Sequence, residues 1–226
     1  MRLTGPRLIA GIASLVVTFL WASAASACGP DGYTYGGFFS PVATSGISAT
    51  ITPLAAPDVS SGHVGAWVGI GGPGKGPGGG DEWLQIGFSA LPGLEGAQLY
   101  YELTVPGSSP AYHLLARHPV GTSARVAVVE LAGRRDYWRV LVNGSPASAP
   151  IHLPGSHNRL QPTATAESWD GGTAGQCNTF LYRFAKIAVL RSPARTWQPL
   201  GLAYPLDGYT TTVRRERDGG FLVAQN

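Results

Sequence analysis

Short runs of apolar or alternating residues recur along the chain and are separated by glycine and proline. No window shows sustained helical periodicity, so these runs predict strands rather than helices. The predicted strands are Gly46–Thr52, His63–Ile70, Glu82–Phe88, Gln98–Val105, Ala124–Ala132, Tyr137–Val142, Phe180–Leu190 and Gly220–Val223. Short strands at this regular spacing are typical of an antiparallel β-sandwich or barrel. We therefore predict an all-β fold.

The turn signals agree with that prediction. Asn143-Gly144 lies between two β-rich segments, and this dipeptide is a strong signal for a two-residue hairpin turn. The chain holds 32 glycines and 18 prolines, which leaves little room for long helices.

Residues 71–80 are the richest in glycine, but Lys75 is followed by Gly76 where a phosphate-binding loop needs Ser or Thr. We interpret this segment as a loop between two strands.

One polar side chain interrupts an apolar strand. In Trp83–Gly87, alternation sends Gln85 to the face opposite Leu84 and Ile86. A carboxamide among large aromatic residues is either a structural hydrogen-bonding group or part of a site.

The N-terminus predicts an exported protein. Arg2 and Arg7 precede an apolar stretch, Leu8–Trp21, and Ala25-Ser26-Ala27 resembles a cleavage signature. We predict a signal peptide over residues 1–27, followed by one β-sandwich domain over residues 28–226, with a C-terminal extension and last strand over 192–226. The apolar stretch is shorter than the ~20 residues of a membrane span, so we expect secretion. Lipid anchoring through Cys28 is the alternative.

Charge argues against nucleic acid as a partner. Without the signal peptide, the 16 basic residues fall to 14 against 13 acidic ones, and no basic stripe is present. We expect a monomer without a membrane span.

Two cysteines, Cys28 and Cys177, remain after the predicted cleavage. In an oxidising compartment they predict a single disulfide. A thiol nucleophile is the competing interpretation, but no local cysteine-enzyme signature surrounds either residue.

Motifs for metal or serine chemistry are missing from the sequence. The five histidines show no paired ligand spacing, and no G-x-S-x-G occurs. We therefore expect neither a metal nor a cofactor. Carboxylate and amide chemistry remains, carried by Gln85, Glu102, Glu167 and Asp170.

The order of several short motifs resembles the glutamic peptidases (eqolisins, peptidase family G1), as in a divergent bacterial-type member. The matching segments are Trp67-Val68-Gly69-Ile70, Leu84-Gln85-Ile86-Gly87, Tyr100-Tyr101-Glu102, Gly121, Asn143, Ala166-Glu167, Phe184-Ala185-Lys186-Ile187 and Gly220–Val223. The resemblance implies a concanavalin-like jelly roll of two antiparallel sheets, with a substrate groove on the concave face. It also implies that a glutamate activates water while a glutamine amide stabilises the oxyanion.

Gln85 matches the family's glutamine, whereas the glutamate has two possible registers. In one register Glu167 falls on a non-catalytic glutamate, and Gly171 stands at the catalytic position. In a shifted register Glu167 is the general base, at nearly the family's separation from Gln85. Gly71 also stands where the family has an acidic residue.

Two classes of function follow. The first is a non-catalytic relative that binds a polypeptide or a carbohydrate, and the two glycines favour it. The alternative is an acid endopeptidase that uses Gln85 and Glu167. In both cases we expect the groove to be lined by Trp67, Trp83, Tyr101, Glu102, Trp169 and Asp170.

Overall fold

The computed structural model describes residues 32–170, 177–208 and 210–225. Within them the regular structure is almost entirely β. The strands are β1 Tyr33–Phe39, β2 Gly46–Pro53, β3 His63–Gly72, β4 Glu82–Ala90, β5 Ala97–Thr104, β6 Ala111–His118, β7 Ala124–Glu130, β8 Tyr137–Val142, β9 Ser145–Pro146, β10 Ile151–His152, β11 Pro162–Trp169, β12 Phe180–Arg191, β13 Thr196–Pro199, β14 Tyr204–Asp207, β15 Thr211–Arg215 and β16 Phe221–Gln225. In this part of the chain, no helix is long and apolar enough to cross a bilayer.

Two antiparallel sheets pack as a sandwich of jelly-roll type, which confirms the predicted fold class. The seven-stranded sheet has the order β14-β1-β11-β3-β4-β5-β6. The nine-stranded sheet has the order β10-β8-β7-β2-β12-β16-β15, with β9 paired to β8 and β13 to β12.

The core lies between the two sheets and is built from alternate residues of each strand. From β3 and β4 of the seven-stranded sheet, the fully buried residues are Val64, Ala66, Val68, Leu84, Ile86 and Phe88. From the nine-stranded sheet they include Ile47, Ile51, Val126, Val128, Phe184 and Phe221. Because side chains alternate along a strand, the residues between them on β3 and β4 point away from the core.

The β8–β9 hairpin turns at the predicted dipeptide. Asn143 and Gly144 both have positive φ, 51° and 84°, as a type I′ turn requires. The hairpin prediction is confirmed.

The glycine-rich segment joins β3 to β4 through a tight, hydrogen-bonded loop with one 3₁₀ turn over Pro77–Gly79. The backbone N–H of Gly76 donates to the carbonyl of Gly80 at 2.7 Å, and that of Gly74 donates to the Asp81 carboxylate at 2.9 Å. Under this loop lies Glu82, whose side chain is fully buried and 3.5 Å from Arg159 Nη2. Burial raises the pKa of Glu82 to about 7, although Arg159 opposes the change.

Candidate functional site

Neighbouring strands of the seven-stranded sheet bring the predicted polar residues together on its outer face. Gln85 on β4 lies directly opposite Glu102 on β5, and Gly69 on β3 is its partner on the other side. Trp67 on β3 faces the same way as Gln85, because both alternate with core residues. As predicted, Gln85 points away from the side of the sheet that holds Leu84 and Ile86.

Glu167 reaches the same face from β11. In the sheet it pairs with Tyr35 on β1 and with Gly65 on β3. Its carboxylate lies over Gly65, where a Cβ atom would approach Glu167 Oε1 to 2.8 Å. Glycine at position 65 therefore leaves room for the Glu167 carboxylate, which a larger residue would displace.

A cavity of about 320 Å³ joins these groups. Trp67, Trp83, Gln85, Glu102 and Glu167 all contribute to its wall. The other lining residues are Tyr33, Tyr35, His63, Ile70, Gly71, Gly72, Pro73, Ser89, Leu91, Tyr100 and Tyr112. The wall is thus largely aromatic and carries two carboxylates and one carboxamide, a composition that suits a binding site.

Hydrogen bonds fix two of these polar groups. Gln85 Nε2 donates to the Tyr100 hydroxyl at 2.9 Å, which leaves its second N–H to point elsewhere. Trp83 Nε1 donates to Glu102 Oε1 at 3.2 Å. Both functional groups are therefore oriented by neighbours on the same sheet.

Glu167 has a histidine beside it. His63 Nε2 lies 3.6 Å from Glu167 Oε1. The imidazole ring stacks on Trp169, with 5.6 Å between ring centroids, and meets Tyr33 edge-on at 5.7 Å. His63 is thus held by aromatic contacts next to the carboxylate.

The cavity has a negative electrostatic character. Burial, followed by the charges of Glu167 and Glu102, raises the pKa of Tyr33 to about 12. The same causes raise the pKa of Tyr35 and of Tyr100. The pKa of Glu102 is also raised, chiefly by burial and further by Glu167, while the bond from Trp83 opposes the change. Glu102 therefore keeps its proton to a higher pH than an exposed glutamate.

Gln85 and Glu167 face each other across a gap. Their partners on β3, Gly69 and Gly65, are four residues apart, which is about 13 Å along a strand. The side chains shorten this gap, because the Gln85 amide extends to Tyr100, whose partner on β4 is Gly87. Both side chains line the cavity of about 320 Å³, so the remaining gap opens into it.

Three residues predicted for the groove lie outside this cavity. Tyr101 faces the side opposite Glu102, packs against the core and stacks on His113 at 4.3 Å, because adjacent strand residues alternate. Tyr100, rather than Tyr101, lines the cavity. Trp169 is 41% exposed and lies beyond His63, while the Asp170 carboxylate accepts a hydrogen bond from Ser61 Oγ at 3.0 Å.

Other predicted positions fall outside the described residues or remain untested. Gly71 lines the cavity, whereas Gly171 is not among the described residues. Cys177 is described, but Cys28 and the predicted signal peptide are not, so the disulfide and export remain predictions. Within the described residues, no three His, Cys, Asp or Glu side chains are placed to hold a metal ion.

The sequence predictions omitted several residues that the fold brings to this site. Tyr33, Tyr35, His63 and Tyr112 come from β1, from the start of β3 and from β6. Tyr100 could have been found, because it lies two positions before Glu102 and therefore shares its face. The residues of β1 and β6 carry no comparable local signal.

Among solved structures, peptidases share this fold. Scytalido-glutamic peptidase, crystallised with a peptide-based transition state analog, has a TM-score of 0.57 and 16% identity, with 87% of this chain and 98% of that chain covered. SCP-B, a member of the eqolisin family solved in a complex with the tripeptide Ala-Ile-His, has a TM-score of 0.53 and 16% identity, with 86% and 96% covered. No family model matches the sequence, and no curated protein is significantly similar to it.

The class of fold follows from these likenesses. The chain has the β-sandwich fold of the glutamic peptidases, over nearly the whole length of those proteins.

Proposed function

We propose that the protein is a glutamic-type acid endopeptidase, with Glu167 as general base and Gln85 as oxyanion stabiliser. The observation that carries this proposal is the shared cavity, in which a carboxylate from β11 and a carboxamide from β4 face each other across an open gap. Glu167 is the acidic residue of β11, and it lines the same cavity as Gln85, as the shifted register requires.

The chemistry requires three proton and charge movements. The Glu167 carboxylate takes a proton from a water molecule as that water attacks the scissile carbonyl. The free N–H of Gln85 donates to the oxyanion of the tetrahedral intermediate. The protonated Glu167 then gives its proton to the leaving amine nitrogen, which breaks the C–N bond and restores the carboxylate.

Acidic conditions suit this arrangement because the cavity holds two carboxyl groups. The pKa of Glu102 is raised, chiefly by burial, so as the pH falls this group is protonated before an exposed glutamate would be, which lowers the repulsion between Glu102 and the Glu167 carboxylate.

A non-catalytic binding function is the second candidate. It is favoured by Gly71, which lines the cavity without offering the acidic side chain that the family has at this position. Aromatic rings next to carboxylates and an amide also suit a carbohydrate or a peptide held without cleavage.

Cleavage of a denatured protein at about pH 3–4, where ordinary carboxyl groups are partly ionised, distinguishes the two functions. We expect Glu167→Gln to abolish cleavage and Gln85→Ala to lower kcat by roughly 10²–10³, as for other oxyanion donors. The matched controls are Asp218→Asn and Gln198→Ala, both exposed and on strands or turns of the other sheet. No cleavage by the wild type across the acidic range would refute the peptidase proposal, and a glycan and peptide binding screen would then test the second candidate.

A further inference from the structure

A second groove lies next to the cavity, at the end of the sandwich. Its volume is about 870 Å³, and three connecting segments form its walls. These are residues 56–59 between β2 and β3, 91–97 from the end of β4 to the first residue of β5, and 117–120 from the end of β6 into the loop before β7. Leu91 lines both spaces, so the groove continues the cavity rather than standing apart from it.

The floor of this groove is aliphatic, and its leucines are not covered. Leu91, Leu94 and Val120 are 37%, 38% and 40% exposed. Ala56, Pro57 and Val59 continue the apolar surface. Charged side chains are also present, namely Asp58, Glu95 and Arg117. Exposed apolar surface that is contiguous and bordered by charge marks a binding site more often than isolated apolar residues do.

Backbone hydrogen bonds hold all three walls, so the groove is preformed. The N–H of Leu94 donates to the carbonyl of Leu91 at 3.2 Å, and that of Gly121 donates to Pro53 at 2.7 Å. Asp58 and Thr179 exchange two backbone bonds, at 2.8 and 3.0 Å. A preformed groove orders a ligand at low conformational cost.

The route from the cavity to the second groove has a direction and a length that suit an extended polypeptide. Strand β4 runs from Gln85 through Ser89 and ends at Ala90, and Leu91 follows it; the side chains of Gln85, Ser89 and Leu91 all line the cavity. From Gly87, below the gap between Gln85 and Glu167, to Leu91 is four residues, or about 13 Å. A substrate chain that leaves the gap along β4 therefore reaches the groove about four residues from its scissile bond.

We propose that this groove is a distal subsite that binds an aliphatic segment of the polypeptide substrate, four or more residues from the bond that is cut. This inference rests on the proposed function for its substrate. A sugar fits poorly, because the groove offers no tyrosine or tryptophan ring among its lining residues. The same groove thus favours a polypeptide over a carbohydrate as the ligand of the whole site.

The test compares a core peptide of about six residues with versions extended by about six residues at either end. Each extension is made once with leucine and valine and once with serine and threonine. In the wild type, we expect the aliphatic extension at one end to raise kcat/KM about tenfold, which matches the burial of one or two aliphatic groups.

Leu94→Asp and Val120→Asp should remove that advantage, so that aliphatic and polar extensions are cleaved at similar rates. Val42→Asp is the matched control, because Val42 is 57% exposed and lines neither space. The proposal is overturned if the wild type cleaves the peptides but gains nothing from the aliphatic extension. It is also overturned if the two groove variants keep the advantage, or if Val42→Asp loses it equally.

Binding measurements separate a failure of this inference from a failure of the proposed function. Fluorescence anisotropy with the Glu167→Gln protein and the same labelled peptides needs no cleavage. The groove is supported if the Glu167→Gln protein binds the aliphatic extension more tightly than the polar one and the added Leu94→Asp substitution removes this difference. This outcome does not require the wild type to cut any peptide. Equal binding of the aliphatic and polar extensions overturns the groove even if the wild type is an active peptidase.

Discussion

The buried Glu82 under the glycine-rich loop predicts a fold that is more stable in acid than at neutral pH. In the unfolded chain its pKa takes the ordinary value of 4.5, and in the folded protein burial raises it to about 7. A group with a raised folded pKa contributes its full stabilisation below pH 4.5. It loses that stabilisation as the pH rises from 4.5 to 7, because the unfolded chain then releases the proton of Glu82 while the folded protein, with the carboxyl group buried, retains it.

The magnitude follows from the two pKa values. A rise from 4.5 to about 7 corresponds to about 3 kcal/mol at 1.36 kcal/mol per pH unit. Arg159, the ion-pair partner, opposes this rise, and its effect is already contained in the folded pKa of about 7. Glu82→Gln places a neutral side chain of the same shape at the site and removes this dependence on pH.

Urea unfolding followed by circular dichroism, at several pH values from 4.5 to 8, measures the effect. Because other groups titrate in this range, the informative quantity is the free energy of unfolding of Glu82→Gln minus that of the wild type. We expect this difference to grow by about 3 kcal/mol from pH 4.5 to 8. Asp218→Asn, at an exposed carboxylate, should show no such trend. A difference that stays constant or falls with pH would refute the argument.

Three further predictions concern the site and the cysteines. Gly65→Ala should lower kcat at least tenfold with an unchanged circular dichroism spectrum, since the new Cβ displaces the Glu167 carboxylate; activity equal to the wild type would contradict this. Tyr100→Phe should lower kcat by roughly two- to tenfold, the effect of losing one hydrogen bond to Gln85, and a change in KM alone would argue against that role. Intact-mass analysis of the exported protein after alkylation, with and without reductant, should find Cys28 and Cys177 blocked until reduction, whereas two alkylated thiols in the native protein would exclude the predicted disulfide.

Alternation of apolar residues predicted many of the core strands and the face of Gln85. It failed for β1, for β6 and for β11, Pro162–Trp169, although β11 carries Glu167. The core-facing residues there include Ala164 and Ala166, both fully buried but small, so the segment shows no strong apolar alternation. Bulky side chains from the opposite sheet can fill such space, and a local pattern does not reveal them.

The composition of the site was only partly predictable for the same reason. Gln85 and Glu102 lie on two predicted strands that follow one another along the chain, and the pairing of these strands puts both residues on the same face. Tyr35 and His63 join Glu167 through pairings between distant strands, and no short-range signal encodes those pairings. Glu167 itself was found through its resemblance to a family motif.

The pairing of β1 with β11 also has a kinetic consequence. Thr165 Oγ1 donates to the carbonyl of Gly36, 129 residues away in the sequence, and the strand around this bond carries Glu167. Contacts between such distant segments form slowly, because a long loop must close before they give any stabilisation. Glu167 is aligned with Gln85 through β3, and the pairing of β3 with β11 also joins segments that are far apart in the sequence. We therefore expect the cavity to form later in refolding than the local hairpin of β8 and β9.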